Sequence, residues 1–508
     1  MKNAFLLFIL SAAFVSNSAA EQVEGDSKHP NIILLMGDDH GWEETGYNGH
    51  PDVKTPVLDE MAATGLRLDR FYAAHPSCSP TRGSVLTGRH PNRYGTFSPG
   101  CSLRPEEITI GHLLGKAGYL RGHFGKWHVG TVKAGSPTNP GAMGFDEWVS
   151  HDNFFELDPP LSRNGGPPTV YRGEGSAVVI DETLRFIEQA RAEEKPFLAV
   201  VWFGSPHEPY SGLPDDLALY DHLPEKYADL APVSLTSNET GRRVKRRLGE
   251  VLRERYAEIT AMDRAIGKLR EYLKREGLRD NTLVWYCGDN GTPPSGALAS
   301  PLRGRKGQVY EGGTRVPAVI EWPARIAAPR VSETNAVTSD MLPTLCALAG
   351  MPVPNDRPLD GINLVPLLDG NLHERNAPVF FWIFDSRPRP KADPKPWIDP
   401  KWQEGTTPLV KLMGGIATRN FRNYHHPNII ESDYNGARVM LGNRHKLVIH
   451  DAKGDGDPIV ELFDLRADPA EETNLAESQL AIVKTMQTEL RTWQQSVLKS
   501  LTGADYGK

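Results

Sequence analysis

The chain has 508 residues, too many for one ordinary small domain, and 39% hydrophobic with 24% charged residues is the balance of a folded chain, not a disordered one. A net charge of −7 argues against a nucleic-acid binder that relies on a basic face. Four cysteines in this length exclude a disulfide scaffold.

The chain opens on an address. Lys2 supplies a positive start, Ala4–Val15 is an apolar run and Ser18-Ala19-Ala20 offers small residues for cleavage. This predicts a secretory signal peptide over residues 1–20 and a mature chain from Glu21. No later stretch holds the eighteen or so uninterrupted apolar residues of a membrane span.

The body alternates apolar runs with amphipathic helices. Asn31–Met36 predicts a strand buried on both faces. A short helix over Ile108–Gly118, a strand over Tyr119–Gly125, a helix over Ala177–Glu194 and a strand over Phe197–Phe203 follow. Val251–Glu276 predicts a long helix stopped at Gly277, Thr282–Cys287 and Val316–Trp322 further strands, and Ala336–Ala349 another helix. The alternation predicts an α/β fold: a large, mostly parallel sheet sandwiched by helices. Beyond about residue 375 the pattern changes. Val379–Phe384, Ala437–Leu441, Lys446–His450 and Ile459–Leu465 are short runs between polar turns, and Glu477–Leu498 is a closing amphipathic helix. These predict a smaller C-terminal α+β subdomain with an antiparallel sheet, residues 376–508, behind a catalytic domain over 21–375. Five prolines between Arg387 and Trp402 mark a loop, either a connector or a wall of a substrate cleft.

Ligands of open α/β sheets bind outside the carboxyl ends of the strands. Four apolar runs end in polar turns: Gly37-Asp38-Asp39-His40-Gly41, Gly125-Lys126-Trp127-His128, Gly204-Ser205-Pro206-His207 and Gly288-Asp289-Asn290-Gly291. They bring two acidic clusters, the candidate histidines His128 and His207, and Lys126 to one edge. Adjacent ionised carboxylates demand a compensating cation. Asp38, Asp39, Asp289 and Asn290 offer only hard oxygen atoms, which suits Ca²⁺ or Mg²⁺.

Cys78-Ser79-Pro80-Thr81-Arg82-Gly83 is followed by Leu86-Thr87-Gly88-Arg89. Pro80 suits the first turn of a helix that puts Cys78 at its positive end, where an anionic group is stabilised. With this segment the sequence resembles the sulfatase family, within the alkaline-phosphatase superfamily. The resemblance runs from Pro30 to about Leu475. It includes the strand-end turns at 37–41, 125–128 and 288–291, Thr-Pro-Val-Leu-Asp at 55–59, Arg-Gly-Arg-Lys-Gly at 303–307 and Glu-Gly-Gly-Thr-Arg-Val-Pro at 311–317.

The resemblance implies an alkaline-phosphatase-like fold and hydrolysis of sulfate monoesters. It implies that Cys78 is oxidised by a formylglycine-generating enzyme to an aldehyde. One hydroxyl of the hydrated aldehyde would attack sulfur and the other would expel sulfate by collapse to the carbonyl, splitting a difficult displacement into two steps. Asp38, Asp39, Asp289 and Asn290, with residue 78, would hold Ca²⁺, or Mg²⁺. Arg82 and Lys126 would steady the hydrated aldehyde, His128 would act as base, and Lys126, His207 and Lys306 would hold the sulfate, His207 and Lys306 assisting the leaving oxygen. Arg305 departs from the small residue common in relatives and points to substrate, whereas Arg315 has a structural role.

Export and the proline-aromatic loop point to a sulfated carbohydrate as substrate, with Trp397 and Trp402 as either sugar-stacking or loop-packing residues, and export with a single usable glycosylation sequence points to a bacterial protein of the periplasm or exterior. Two other readings share the motifs: a formylglycine-dependent phosphonate monoester or phosphodiester hydrolase, and an inactive glycan-binding relative. The basic run Arg242, Arg243, Lys245, Arg246 and Arg247 predicts a solvated helical face in preference to a contact surface for a sulfated polymer. Asn238-Glu239-Thr240 matches a glycosylation sequence. Cys101, Cys287 and Cys346 are an odd number, so at least one is unpaired.

Overall fold

The structure, a computed structural model, describes residue 1 and residues 29–506 apart from 238–239, 297, 299, 386–394, 409–418 and 453–455. The expected leader after Met1, Asn238 of the glycosylation sequence, and Pro388, Pro390 and Pro394 of the proline loop fall outside these residues.

In chain order the strands are β1 (Asn31–Gly37), β2 (Leu66–Leu68), β3 (Phe71–Tyr72), β4 (Leu120–Lys126), β5 (Glu147–His151), β6 (Pro160–Arg163), β7 (Thr169–Val170), β8 (Phe197–Trp202) and β9 (Val233–Thr236). They continue as β10 (Arg243–Arg246), β11 (Thr282–Gly288), β12 (Ala318–Glu321), β13 (Arg330–Ser332), β14 (Ala336–Val337), β15 (Val379–Trp382), β16 (Arg438–Leu441), β17 (His445–His450) and β18 (Ile459–Asp464). A ten-stranded sheet runs β13-β2-β12-β11-β1-β8-β4-β5-β6-β7. Its centre, β11-β1-β8-β4-β5, is parallel. Toward one edge β12 runs antiparallel to β11, and toward the other β6 runs antiparallel to β5 and β7 to β6.

Alternation along β1 shows why its sequence is a continuous apolar run. Ile32, Leu34 and Met36 enter one core with Leu198, Val200 and Trp285, while Ile33 and Leu35 enter a second with Ala199, Val201 and Tyr286. Both faces are covered, which favours apolar residues along the whole strand. The helices Gly175–Ala192 and Leu248–Arg275 cover the second face through Val179, Phe186, Met262 and Ile266.

The last strands form an antiparallel sheet β15-β16-β17-β18. One face, with Phe381, Val439, Val448 and Phe463, packs on Tyr72, Val309 and Val337 of the larger sheet's surroundings. The other, with Trp382, Leu447 and Leu462, packs on Leu490, Trp493 and Val497 of the helix Leu480–Leu501.

Two expectations are corrected. The segment over Ala336–Ala349 is not one helix. Ala336 and Val337 pair with Phe71 and Tyr72 as β14, a turn follows, and the helix covers only Met341–Leu348. Asp340 forces the break: it accepts from Val337 N at 2.8 Å and Ile362 N at 2.7 Å and pairs with Arg375. The basic run is a strand, not a helical face. Arg243–Arg246 pairs with β9, and Arg243 and Arg246 reach Glu208 and Glu254. No helix among the described residues is long and apolar enough to cross a membrane.

Candidate active site

Because β1, β4, β8 and β11 run in one direction, the residues after each of them meet. Asp39 N donates to Asp289 Oδ1 at 2.9 Å, tying the turn after β1 to the turn after β11. Asn290 Nδ2 donates to Asp39 Oδ1 at 2.9 Å. Lys126, the last residue of β4, donates from Nζ to Asp38 Oδ2 at 2.5 Å. After β8, His207 Nε2 lies 3.7 Å from Asp39 Oδ2, and its ring stacks on Phe154 with centroids 4.9 Å apart. Asp39 and His128 adopt left-handed backbone conformations, φ 61° and 57°. For residues with a Cβ this costs roughly 1–2 kcal/mol each, strain that clusters at functional sites.

The helix Cys78–Thr87 begins at this edge and ends on Gly88, φ 68°. Cys78 Sγ lies 3.8 Å from Asp39 Oδ1. One turn on, Arg82 crosses beneath the site: Nε and Nη2 donate to Asp289 Oδ2 at 3.1 and 2.7 Å, and Nη1 donates to the Lys126 carbonyl at 3.1 Å. Lys306 arrives from the loop before the helical turn Glu311–Thr314 and donates from Nζ to Asp39 Oδ2 at 2.7 Å. Every residue proposed for the site from the sequence therefore lies at one edge of the sheet except Arg305, which is exposed on the Lys306 loop.

Burial governs the electrostatics. Asp38, Asp39, Asp289, Asn290, Arg82 and Lys126 are at most 2% exposed. Burial alone would raise Asp39, but Lys306, His207 and Lys126 together hold it well below the usual carboxylate range. Burial and the nearby Asp38 carboxylate push Asp289 up to about 6, against the pull of Arg82. The Cys78 thiol is pushed up to about 12 by burial. His207 is pushed down to about 3 by burial, opposed by Asp39, and His128 falls well below its ordinary value through burial and the charge of Lys126. His128 is thus neutral, and neither ring nitrogen has a hydrogen-bond partner among the described residues. It is a base free to take a proton.

The donor set fits a hard divalent cation. Asp38 Oδ1 and Asn290 Oδ1 are buried without hydrogen-bond partners, and such orphaned oxygens are rare unless a ligand uses them. Ligand atoms of Asp38, Asp39, Cys78 and His207 lie within 4.8 Å of one another. The carboxylates and the amide oxygen suit Ca²⁺ or Mg²⁺. His207 was not among the ligands expected from the sequence.

The sequence missed two neighbours of the site. Phe154 follows β5 and backs His207. Arg419 lies close enough for its charge to act on His128 and Cys78. Neither carries a motif, and Arg419 sits in a stretch without periodic signal. Trp397 stacks on His425 with Arg104 over its ring, and Trp402 lies between Lys133 and Lys401, so both have loop partners. Arg315 donates to the Asp69 carbonyl at 2.6 Å and covers Trp42, the structural role expected of it. All four cysteines are buried and free.

Comparison with known proteins agrees with this geometry. The sulfatase family profile matches residues 30–351. N-acetylgalactosamine-6-sulfatase of Canis lupus familiaris is 32% identical over 419 residues, spanning 75% of this chain and 72% of that protein. Arylsulfatase A of Homo sapiens is 32% identical over 395 residues, spanning 70% and 71%. The crystal structure of Ps i-CgsB in complex with k-i-k-neocarrahexaose has the same fold, with a TM-score of 0.71 at 23% identity over 92% of this chain and 93% of that one. The chain belongs to the sulfatase family and is a hydrolase of sulfuric ester bonds.

Proposed function

We propose that the chain removes sulfate from a sulfated carbohydrate, using residue 78 as formylglycine and a Ca²⁺ held by Asp38, Asp39, Asp289 and Asn290 together with residue 78. The observation that carries the reading is the placement of Cys78 Sγ 3.8 Å from Asp39 Oδ1, in a cluster where each buried carboxylate also meets a cation. Relatives named for N-acetylgalactosamine 6-sulfate support a sugar as substrate. When bound, the cation supplies Lewis acidity, polarising sulfate oxygens and lowering the pKa of the attacking hydroxyl.

The protein side chains divide the remaining work. Arg82 and Lys126 fix the first turn of the Cys78 helix and the adjoining carboxylates. Lys126, His207 and Lys306 receive the sulfate, whose negative charge opposes the burial that keeps His207 neutral. One hydroxyl of hydrated residue 78 gives its proton to the neighbouring carboxylates and forms the new S–O bond as the bond from sulfur to the sugar oxygen breaks, that oxygen taking a proton from the His207–Lys306 side. Neutral His128 then takes the proton of the second hydroxyl, the C–O bond to sulfate breaks, and water restores the hydrate. The reading further assigns residues 1–20 to export, to the periplasm or exterior, residues 21–375 to the catalytic unit and 376–508 to a subdomain beside it. A formylglycine-generating enzyme is the maturation partner.

Mass spectrometry of the Phe71–Arg82 peptide from active protein should show Cys78 as the aldehyde. Sulfate release should be followed on a panel of sulfated mono- and disaccharides, beside matched aryl phosphate and phosphonate esters. Cys78→Ala should lose about 10³-fold or more of kcat, the scale of removing a nucleophile. Near-normal turnover by Cys78→Ala, or preference for a phosphorus ester, would overturn the reading; so would glycan binding without turnover by fully modified protein.

A further inference from the structure

Arg82, Lys126 and Lys306 each have a carboxylate partner, Asp289, Asp38 and Asp39. Arg419 does not. Among the described residues its guanidinium makes no ion pair and no hydrogen bond, although the residue is half-buried. Its side chain lies along Gly100, where a Cβ would come 3.1 Å from Arg419 Cδ and 3.2 Å from Nη1. The following residues are anchored: Arg422 N donates to Gly100 O at 3.0 Å, Ser102 N donates to Arg422 O at 3.0 Å, and the Phe421 ring lies 6.2 Å from that of His128. Arg419 is therefore held at the rim of the site by backbone pairing, not by a counter-charge. Burial depresses it, and the residues whose charges act on it include Cys78. A guanidinium that gives up water without gaining an acceptor is costly, and its planar fork matches oxyanions.

Resting on the sulfatase reading above, we propose that Arg419 binds a second anionic group of the substrate, a sulfate or carboxylate on the sugar that carries the scissile ester. The reacting sulfate already has Lys126, Lys306 and His207 around it. Arg419 thus sets specificity, and it comes from the C-terminal part of the chain, outside every motif of the catalytic centre.

The test takes each sulfated sugar that the wild-type protein turns over and compares it with congeners carrying one further sulfate or an adjoining uronate. Wild-type kcat/KM should be higher for one of the two-anion classes, and which class it is identifies the anion. Arg419→Ala should lower kcat/KM for that class by about 10- to 100-fold, the range of a hydrogen bond to a charged group, mostly through KM. On 4-nitrophenyl sulfate, which has one anion, it should stay within about threefold of wild type. Arg419→Lys should recover part of the loss, because a point charge lacks the fork. The melting temperature of both variants should match wild type. Equal losses on all substrates would place Arg419 on the reacting sulfate and overturn the proposal, as would no loss on any. An inactive wild type would instead sink the sulfatase reading beneath it.

Discussion

At residue 78 burial decides the chemistry of the unmodified thiol. Lys126 and Lys306 favour the thiolate and Asp289 and Asp38 oppose it, but burial outweighs all four and sets the value at about 12. At pH 8 the thiolate is then about one part in 10⁴, and thiolate is the reactive form. Protein made without its maturation partner should therefore resist iodoacetamide at Cys78 while folded and react fully in denaturant, read peptide by peptide by mass spectrometry. Rapid labelling of Cys78 in the folded state at pH 8 would show an accessible thiolate. The helix end alone would favour the anion, so the experiment weighs the helix dipole against desolvation.

At the scale of elements, the turns after the strands work because backbone meets backbone. A Cβ on Gly291 would lie 1.9 Å from the Gly312 carbonyl oxygen and 2.8 Å from its carbon, and Gly291 N donates to Gly313 O at 3.0 Å. Gly291→Ala must push the Glu311–Thr314 turn from Asn290. It should cost about 1–3 kcal/mol and lower sulfate release beyond the loss of folded protein. Gly442→Ala, whose Cβ would meet only the His445 carbonyl at 3.4 Å, should cost less than about 0.5 kcal/mol. Equal melting temperatures for the two variants would contradict this. The same closeness explains what the sequence disclosed. A strand covered on both faces favours apolar residues, so β1, β8 and β11 were legible, and parallel direction then placed Asp38, His207 and Asp289 together. Val337 was not legible as strand because its break depends on Asp340 meeting Ile362 and Arg375, contacts remote in sequence. Nor was the basic run, whose partners Glu208 and Glu254 lie on other elements. Arg419 was invisible for the same reason: its position is fixed by Gly100 and Ser102.

At the scale of the molecule, one buried cation joins the small sheet to the loop that carries Lys306. Lys446 of β17 is fully buried, and its Nζ lies 2.9 Å from Glu311 Oε1 and 2.9 Å from Glu471 Oε1. Glu471 Oε2 accepts from Glu311 N at 2.7 Å, and Tyr72 Oη donates to Glu311 Oε2 at 2.9 Å. Burial works against both acids. Lys446 then holds Glu311 below its ordinary value, whereas Glu471 stays raised, with Glu311 adding to the burial. Lys446→Met would leave two carboxylates facing each other with only the weaker support of Arg315, whose Nη1 lies 3.8 Å from Glu311 Oε2. Breaking a buried pair in this way should cost about 3–5 kcal/mol, and adding Glu471→Leu should restore part of it, since it removes a buried charge that the first substitution leaves uncompensated. The sign of the pH effect follows. With Lys446 gone both acids are raised in the folded state, so the folded chain binds more protons than the unfolded one from the ordinary carboxylate value of about 4.5 upward. The deficit of Lys446→Met should accordingly widen as pH rises from about 4.5 to 7 and shrink as it falls, measured as the difference in denaturant midpoint from wild type. A deficit independent of pH would mean that Lys446 matters for packing alone, and the small sheet would be joined to the Lys306 loop by apolar contact through Tyr72, Val309 and Phe381.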